Sequence, residues 1–506
     1  MEQWFLDIGS GILNVFHLSV FIASLIGVIA GIIIGVLPGL GPPIAISLAI
    51  PMTYGFEPIV AMSVLIGLYK GGTYGGSISA ILINTPGTPA ASATVLDGYK
   101  MAQQGKAGKA LDIALYASVF GDAASIMLLC VIAQPIASFA ARFGPIELFS
   151  LLLFAMTIIA GLAGQSIVKG LIAATLGLAF SLIGMDPVAG LPRFSFGSLY
   201  LESGLNVIAM IVGLFAISEQ MGQVNATDDN ERRALNVGQS KNKTDNYATI
   251  ADIKRCLPSF LRGSAIGAAI GALPGTGAAV AAFISYGVAK KRSKHPEEFG
   301  NGSIEGVAAP EAGNNAVCGG ALIPMLTLGI PGDVVTAVMM GALMLHGIQS
   351  GPAIFTENRV FVFTLFGMLI VSIFMLLFSG MLMVKICRKL AEISNSYISP
   401  IVVLLCVAGT YAVNYSISDV WAMLFFGIFG FIFLKLDIPI PPFIIAFILA
   451  PTMEQSLRQG LLISGGNFSV LVTHPLSLIF LCLTCLAVIK IVYDSKKQKI
   501  DNLKPS

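Results

Sequence analysis

Several ionisable side chains of this 506-residue chain lie inside apolar stretches, and three of them are close to glycine-rich motifs. Lys70 lies in the run Leu-Tyr-Lys-Gly-Gly, and Glu311 and Asp333 flank a glycine-rich segment in the second half. Because a charged group is unfavourable in lipid, such residues predict a transport or ion-binding site. Lys70 can neutralise a substrate carboxylate, or it can extend its ammonium group to the membrane interface. Glu311 and Asp333 can bind a cation or carry a proton, or they can lie in solvated loops.

The composition requires a membrane around much of the chain. Apolar residues make up 56% and charged residues 11%, with a net charge of +2, whereas soluble domains carry about 25% charge. These values exclude a nucleic-acid binder with a basic surface and a disordered chain. The apolar runs are continuous, so we predict an all-α polytopic membrane protein with roughly ten to twelve membrane segments.

Basic residues gather in four regions, at about 223–262, 290–294, 385–389 and 490–504. Positive charge favours the cytoplasmic side, so we predict that these regions and the C-terminus are cytoplasmic and that the N-terminus lies outside. The expected domains are a first membrane repeat at 1–222, a cytoplasmic polar loop at 223–257, a second repeat with additional helices at 258–490, and a basic cytoplasmic tail at 491–506.

Two motifs occur twice in the same order. Gly35-Val-Leu-Pro-Gly-Leu-Gly41 returns as Gly271-Ala-Leu-Pro-Gly-Thr-Gly277, and the segment 74–87 parallels 318–332 with one residue inserted. Proline and glycine break a helix, and the freed backbone groups are tolerated only within protein or beside a water-filled cavity. Broken helices at equivalent places in two halves indicate the binding site of a transporter.

The second copy predicts a re-entrant hairpin. Residues 263–289 carry no charge, and both flanks are basic. Two full spans need about 40 residues, so we expect two arms of about 13 residues that turn at residues 273–275. A single long, tilted helix is the alternative. The first copy has no basic flank, as a hairpin entering from outside requires, which predicts inverted repeats.

Small polar residues and glycines around these motifs form the predicted site. Freed amide groups suit a carboxylate, and freed carbonyl groups suit Na⁺; the alternative is helix packing through small residues. Asp122 lies in an apolar helix and can pair with Lys70. The predicted substrate-binding residues are Pro38, Gly39, Gly41, Lys70, Gly75, Gly76, Ser77, Asn84, Thr85, Pro274, Gly275, Thr276, Gly277, Asn314, Asn315, Gly319 and Gly320. The predicted ion-coupling residues are Glu311, Asp333 and Thr327.

The repeated motifs resemble those of the large membrane subunit of the tripartite tricarboxylate transporters, the TctA family. The likeness rests on the segments 35–42, 74–90, 97–99, 271–277, 311–316 and 319–332. It implies a secondary transporter of the bacterial inner membrane that imports a carboxylate such as citrate and is driven by Na⁺ or H⁺. It also implies a small TctB-like membrane subunit and a periplasmic TctC-like solute-binding protein. Lys70 stands where we expect an uncharged residue in the family's pattern.

Two other classes of protein remain as alternatives, a polytopic membrane enzyme and a channel without ion-coupled uptake. The sequence has no Walker A motif, and its cysteines and histidines lack the spacing of metal ligands. We therefore expect no enzymatic activity, no metal site and no cofactor apart from the coupling ion. Paired broken repeats favour a transporter, because alternating access needs two related halves.

Overall fold

The computed structural model describes residues 2–37, 39–162, 166–186, 190–224, 246–390 and 395–501. These residues are helical almost throughout, with a single two-stranded antiparallel ribbon among them. Five helices are long and apolar enough to cross a membrane, and eight shorter apolar helices accompany them in the described chain. The prediction of an all-α polytopic membrane protein is confirmed, and the exact number of spans stays a prediction.

The first part of the chain ends at the polar segment. Its elements are α1 Glu2–Val15, α2 Leu18–Val36, α3 Pro42–Thr53, α4 Pro58–Ile83, α5 Ala91–Gln103, α6 Ala107–Ala140, α7 Pro145–Leu162, α8 Ile167–Ser181, β1 Gly184–Met185, β2 Pro192–Arg193, α9 Leu199–Glu202, α10 Val207–Val212, a π-helical turn at Gly213–Ile217 and α11 Ser218–Val224. Most of the predicted loop 223–257 lies outside the described residues, although α12 begins within its range.

The second part repeats the order of elements seen from α2 to α6. Its elements are α12 Ile250–Gly271, α13 Gly277–Arg292, a 3-10 turn at Pro296–Glu298, α14 Ile304–Leu328, α15 Val334–Leu345, α16 Ile354–Glu357, α17 Arg359–Leu390, α18 Asn395–Asn414, α19 Ile417–Lys435, α20 Ile440–Ile463, α21 Val470–Thr473 and α22 Pro475–Asp501. The helices α2, α3, α4, α5 and α6 correspond to α12, α13, α14, α15 and α17.

In the second repeat, α12 and α13 form a helical hairpin against α14. Helix α12 runs parallel to α14, because Gly263 meets Ala309 at one end and Gly271 meets Gly320 at the other. Helix α13 runs in the opposite direction, as shown by the pairs Ala281–Ala321, Ser285–Gly313 and Ala289–Ala309. The chain between the two helices turns at residues 272–276, where the sequence predicts the break.

The expected length of the first arm is wrong. Helix α12 spans 22 residues and not about 13, because a capping box between Thr249 and Asp252 starts it well before the uncharged segment. Arg255 belongs to this helix and forms an ion pair with Glu298 of the 3-10 turn. Helix α12 therefore includes the basic residues that precede the uncharged segment 263–289 in the sequence.

The first repeat has the same form. Helix α2 runs parallel to α4, since Gly27 meets Val64 and Gly35 meets Gly72. Helix α3 begins beside Gly72, in the second half of α4, and only residues 54–57 separate its end from the start of α4. It therefore folds back along α4. In each repeat the Pro-Gly turn that follows the central helix packs on the tip of the hairpin, through the pairs Gly87–Gly35 and Gly332–Gly271.

Glycines at every fourth position allow these helices to touch backbone to backbone. The contacting glycines are Gly27, Gly31 and Gly35 in α2, Gly67, Gly71 and Gly75 in α4, and Gly263, Gly267 and Gly271 in α12. A Cβ atom on Gly71 would overlap the backbone carbonyl of Val28. Spacing of this kind permits close helix association in membranes, where apolar side chains gain nothing over lipid.

The central helices α4 and α14 run antiparallel. Two polar contacts join the two helices, Thr73–Cys318 and Ser77–Glu311, and beyond the end of α14 Tyr69 contacts Asp333 at the start of α15. The numbers rise along α4 and fall along α14, so the equivalent elements of the two repeats point in opposite directions. This is the relation that an inverted repeat requires.

Asp97 of α5 ties the first repeat to the second. Its Oδ1 atom accepts hydrogen bonds from the backbone N–H groups of Gly300, Gly302 and Ser303, at 2.8, 2.9 and 2.8 Å. Its Oδ2 atom accepts one from the hydroxyl of Tyr286 at 2.9 Å. The carboxylate is fully buried at the start of α14. The Asp-Gly-Tyr motif is thus explained as a structural connection.

We predict that Gly71→Ala lowers the free energy of unfolding by at least about 2 kcal/mol, because the added methyl group collides with backbone that cannot rotate away. Thermal unfolding in detergent measures the effect. Gly287→Ala in α13 is the matched control, since the space that its methyl group would enter holds no other atom within 4 Å; alanine there should be neutral or stabilising. Equal melting temperatures for both variants would contradict the close contact.

We predict that Asp97→Ala destabilises the protein by about 2 kcal/mol or more, because three backbone N–H groups lose their acceptor. Asp97→Asn keeps an oxygen at this position, so its effect should be clearly smaller. Comparing the melting temperatures of the two variants separates loss of the acceptor from loss of charge. If asparagine destabilised as much as alanine, the charge and not the hydrogen bonding would hold the connection.

Candidate functional site

Helix α4 carries a row of buried polar residues through the middle of the molecule. Tyr69, Lys70, Thr73 and Ser77 are each at most 4% exposed. Residues three and four positions apart share one face of a helix, so Lys70, Thr73 and Ser77 follow a single line along α4. Their partners come from α6, α14 and α17, which surround this line.

Lys70 forms a buried ion pair with Asp122 of α6. The Nζ atom lies 2.9 Å from Asp122 Oδ2, and the two side chains are 2% and 1% exposed. It also donates hydrogen bonds to Ser372 Oγ and to the backbone oxygen of Leu369, both at 2.7 Å. The ammonium group therefore has two hydrogen-bond acceptors and one ion-pair partner. Lys70 does not reach the surface, and binding a substrate carboxylate would require it to leave these partners.

Glu311 is surrounded by hydroxyl groups. Its Oε1 atom accepts hydrogen bonds from Ser77 Oγ at 2.6 Å and from Thr94 Oγ1. Its Oε2 atom accepts one from Ser118 Oγ at 3.0 Å. Glu311 is fully buried, and no basic side chain pairs with it among the residues that the structure describes. Four helices, α4, α5, α6 and α14, thus meet at one carboxyl group that lacks a counter-ion.

Two asparagines extend this cluster. Asn315 donates from Nδ2 to Ser118 Oγ at 2.9 Å and to the backbone oxygen of Glu311 at 3.1 Å. Its Oδ1 atom and the Nδ2 atom of Asn314 are buried without a hydrogen-bond partner. Buried polar atoms are almost always paired in folded proteins. These two atoms therefore remain able to bind a small ligand.

The other two predicted ion-coupling residues have structural contacts. Asp333 starts α15 with a capping box to Thr336 and accepts a hydrogen bond from the hydroxyl of Tyr69 at 2.6 Å. Thr327 donates to the backbone oxygen of Ile323 in its own helix at 2.7 Å. A part in ion coupling stays a prediction for Asp333 and Thr327. Glu311 differs from them because its carboxyl group contacts hydroxyl groups of three other helices.

The hairpin tips place several predicted residues at helix ends. Gly39, Gly275 and Gly277 adopt φ angles of 81°, 84° and 74°, which other residues rarely adopt. Gly41 precedes α3, and Pro274 is half-buried in the second tip. The second tip is also joined to its neighbours by hydrogen bonds, from Gly275 N–H to the Gly332 oxygen at 3.0 Å and from Thr276 Oγ1 to the Ile270 oxygen at 2.7 Å. Pro38 lies outside the described residues.

The remaining predicted residues contact the protein itself. Gly75 lies against the backbone of α2, Gly76 against Thr88, Gly319 against α6 and Gly320 against α12. These contacts correspond to the alternative of close packing through small residues. Asn84 ends α4 in the left-handed conformation and is exposed, and Thr85 donates to the oxygen of Ile83 at 3.2 Å. A role in substrate binding stays a prediction for all six residues.

The model of the tripartite tricarboxylate transporter TctA family matches residues 21–445. The chain belongs to this family. The match covers both hairpin repeats, so the resemblance inferred from the motifs is confirmed. It also covers the Lys70 cluster, which is Lys70, Asp122, Leu369 and Ser372, and the Glu311 cluster, which is Glu311, Ser77, Thr94, Ser118, Asn314 and Asn315. The TctA family is a family of transporters. The buried polar residues are therefore interpreted as residues of a transport protein.

Two relatives come from Agrobacterium vitis. An uncharacterised 52.8 kDa protein in the TAR-I ttuC′ 3′ region is 35% identical over 461 residues, covering 90% of each chain. An uncharacterised protein in the TAR-II ttuC′ 3′ region is 35% identical over 237 residues, covering 47% of this chain and 98% of the relative. No solved structure matches this TctA-family chain.

Three contributors to these clusters, Thr94, Ser118 and Ser372, and the Asp333 partner Tyr69 carry no distinctive signal in the sequence. Ser118 and Ser372 are single hydroxyl residues in apolar helices, and serine and threonine in such helices are equally typical of packing. Asp122 was recognisable as a charged residue in an apolar helix, and its pairing with Lys70 is confirmed. A single sequence does not show which residues that are distant along the chain lie close together in the fold.

We predict that Lys70→Met destabilises this TctA-family protein by about 3–5 kcal/mol in sodium-free choline buffer, because it leaves the buried Asp122 carboxylate without its partner. The double variant Lys70→Met/Asp122→Asn removes both charges, so it should recover most of the melting temperature. Thermal unfolding in detergent measures both. A double variant as unstable as the single one would show that the lysine stabilises the protein through contacts other than the ion pair.

Proposed function

We propose that this chain is the membrane subunit of a tripartite secondary transporter that imports a di- or tricarboxylate, such as citrate, across the bacterial inner membrane. A periplasmic solute-binding protein delivers the substrate, and a small membrane subunit completes the complex. A gradient of Na⁺ or H⁺ drives uptake. The observation that carries the proposal is a pair of antiparallel, equivalent hairpin repeats, with a carboxyl group at the contact between them that has no counter-ion among the described residues.

The tip of the second hairpin supports anion binding. The first N–H groups of a helix have no partner within the helix, and the helix dipole adds partial positive charge there. Helix α13 begins at the second tip with Gly277, Ala278 and Ala279, whose side-chain volume is minimal and which are partly exposed. A carboxylate can therefore approach these backbone groups closely.

Glu311 supports cation coupling. An ionised carboxylate in an apolar interior is so unfavourable that it takes up a proton or a cation. The oxygens of Ser77, Thr94 and Ser118 surround it, and oxygen atoms are the ligands that hard cations prefer. Glu311 can therefore bind either coupling ion, a proton on the carboxyl group or Na⁺ among the carboxyl and hydroxyl oxygens.

The position of Glu311 links the ion to movement. Its hydroxyl partners belong to α4, α5 and α6 of the first repeat, while Glu311 itself belongs to α14 of the second. A change in the occupancy of this carboxyl group therefore changes the contact between the repeats. A ligand shifts an equilibrium between conformations by its difference in affinity for them, so the ion can bias alternating access.

We predict that proteoliposomes containing the complete three-part complex accumulate radiolabelled citrate or another di- or tricarboxylate only when a Na⁺ or pH gradient is present. Dissipating the gradient with an ionophore should abolish accumulation, because the substrate then has no driving force. Flux that simply equilibrates the substrate, with no dependence on either gradient, would indicate a channel and contradict the proposal.

We predict that Glu311→Gln abolishes gradient-driven accumulation, because the amide carries no charge and does not take up a proton at neutral pH. Uptake by the reconstituted complex measures this, and thermal unfolding checks that the variant folds. Glu57→Gln is the matched control, since Glu57 is exposed at the start of α4 and makes no capping hydrogen bond. Gradient-driven uptake by a folded Glu311→Gln variant at the wild-type rate would remove Glu311 from the mechanism.

A further inference from the structure

We propose that the ammonium group of Lys70 is a fixed internal cation that takes the place of a second coupling ion in the first repeat. The clusters around Lys70 and Glu311 then bind one mobile cation in total and not two. The transporter therefore moves one cation fewer per substrate than it would without Lys70. This inference rests on the proposed function, and it concerns the stoichiometry of coupling. Its support comes from the ligands around Lys70, from the repeat and from the charges.

The atoms around Lys70 Nζ form the kind of set that binds an alkali cation. A carboxylate oxygen of Asp122, the hydroxyl of Ser372 and the backbone oxygen of Leu369 lie 2.9, 2.7 and 2.7 Å from the nitrogen. Transporters bind Na⁺ through carboxylates, hydroxyls and backbone carbonyl groups of this type. All three ligands belong to α6 and α17, and the ammonium group reaches them from α4.

The repeat relates this cluster to the one around Glu311. When Gly75-Gly76 of α4 is matched with Gly319-Gly320 of α14, Lys70 corresponds to Asn314. Lys70 bonds Ser372 of α17, and the neighbouring Asn315 bonds Ser118 of α6. Helices α6 and α17 are equivalent in the two repeats, and each lies against the central helix of the other repeat. The contacts Lys70–Ser372 and Asn315–Ser118 are therefore equivalent in kind, whereas the carboxyl groups lie on different elements, Asp122 on α6 and Glu311 on α14.

The clusters around Lys70 and Glu311 differ in one positive charge. Each cluster has a buried carboxyl group, Glu311 in one and Asp122 in the other. Asp122 has the Lys70 ammonium beside it, whereas Glu311 has no basic partner among the described side chains. Neither buried oxygen of Asp122 has a hydrogen-bond partner among the described residues, and Oδ2 has only the ion pair with Lys70. If Lys70 were neutral, Asp122 would be in the position of Glu311 and would take up a cation from solution.

The test replaces Lys70 with the residue of the other repeat. In the reconstituted complex, Lys70→Asn should transport with one additional Na⁺ or H⁺ per substrate, measured from the gradient at which net flux is zero. Lys294→Asn is the matched control, because Lys294 is exposed and outside both clusters; its stoichiometry should equal that of the wild type. An unchanged cation-to-substrate ratio in Lys70→Asn would overturn the inference.

A binding measurement makes the test independent of transport. In the purified chain, the Glu311→Gln background should show no rise of melting temperature when NaCl replaces choline chloride or when the pH falls from 8 to 6. Adding Lys70→Asn to that background should restore a rise with one of the two ions, and adding Asp122→Asn as well should remove it again. No restored rise would overturn the fixed-cation role.

The outcomes also separate this inference from the proposed function. If the wild type shows no gradient-driven uptake, the proposed function fails, and the melting-temperature series still decides whether Lys70 replaces a cation. If the wild type transports and Lys70→Asn folds but takes up no substrate at any Na⁺ concentration or pH, Lys70 contacts the substrate carboxylate directly. That result would overturn the fixed-cation role and support the carboxylate-binding interpretation of Lys70.

Discussion

Direct backbone contact between helices is the constraint on which the rest of the structure depends. Helices α2 and α4 approach so closely that a Cβ atom on a contacting glycine would overlap the backbone of the facing helix. Helices α12 and α14 pack in the same way. Lipid offers no hydrogen bonds, so a helix break inside the membrane is stable only where neighbouring backbone covers it. The close pairs supply that cover, since Gly87 and Gly332 lie directly on the broken ends at Gly35 and Gly271.

The same packing determines where charge can be held. Two buried residues of the central helices have partners from the other repeat: Lys70 of α4 bonds Ser372 of α17, and Glu311 of α14 bonds hydroxyl groups of α4, α5 and α6. Lys70 and Asp122 neutralise each other at 2.9 Å. Among the described residues, the Glu311 side chain has hydroxyl partners only. Two fully buried carboxyl groups therefore differ in charge compensation, because one is paired with an ammonium group and the other is not.

The sequence predicted the local features of the fold well. Leu-Pro-Gly breaks a helix wherever it occurs, so the two tips and the repeat could be located from residues 35–41 and 271–277 alone. The start of α12 could not, because the capping box at Thr249 lies in a polar stretch typical of a loop. The Glu311 cluster was also beyond prediction, since Thr94 and Ser118 are separated from Glu311 by about two hundred positions. Only the fold brings such residues together, and their types do not distinguish binding from packing.

The antiparallel contact of α4 with α14 has a mechanical consequence. Two side-chain links, Thr73–Cys318 and Ser77–Glu311, join these helices directly, and Tyr69 of α4 bonds Asp333 at the start of α15. A slide of α4 along α14 by one helical turn, about 5.4 Å, would separate both links at the same time. Any movement of the two repeats along this contact therefore has to break the two links together.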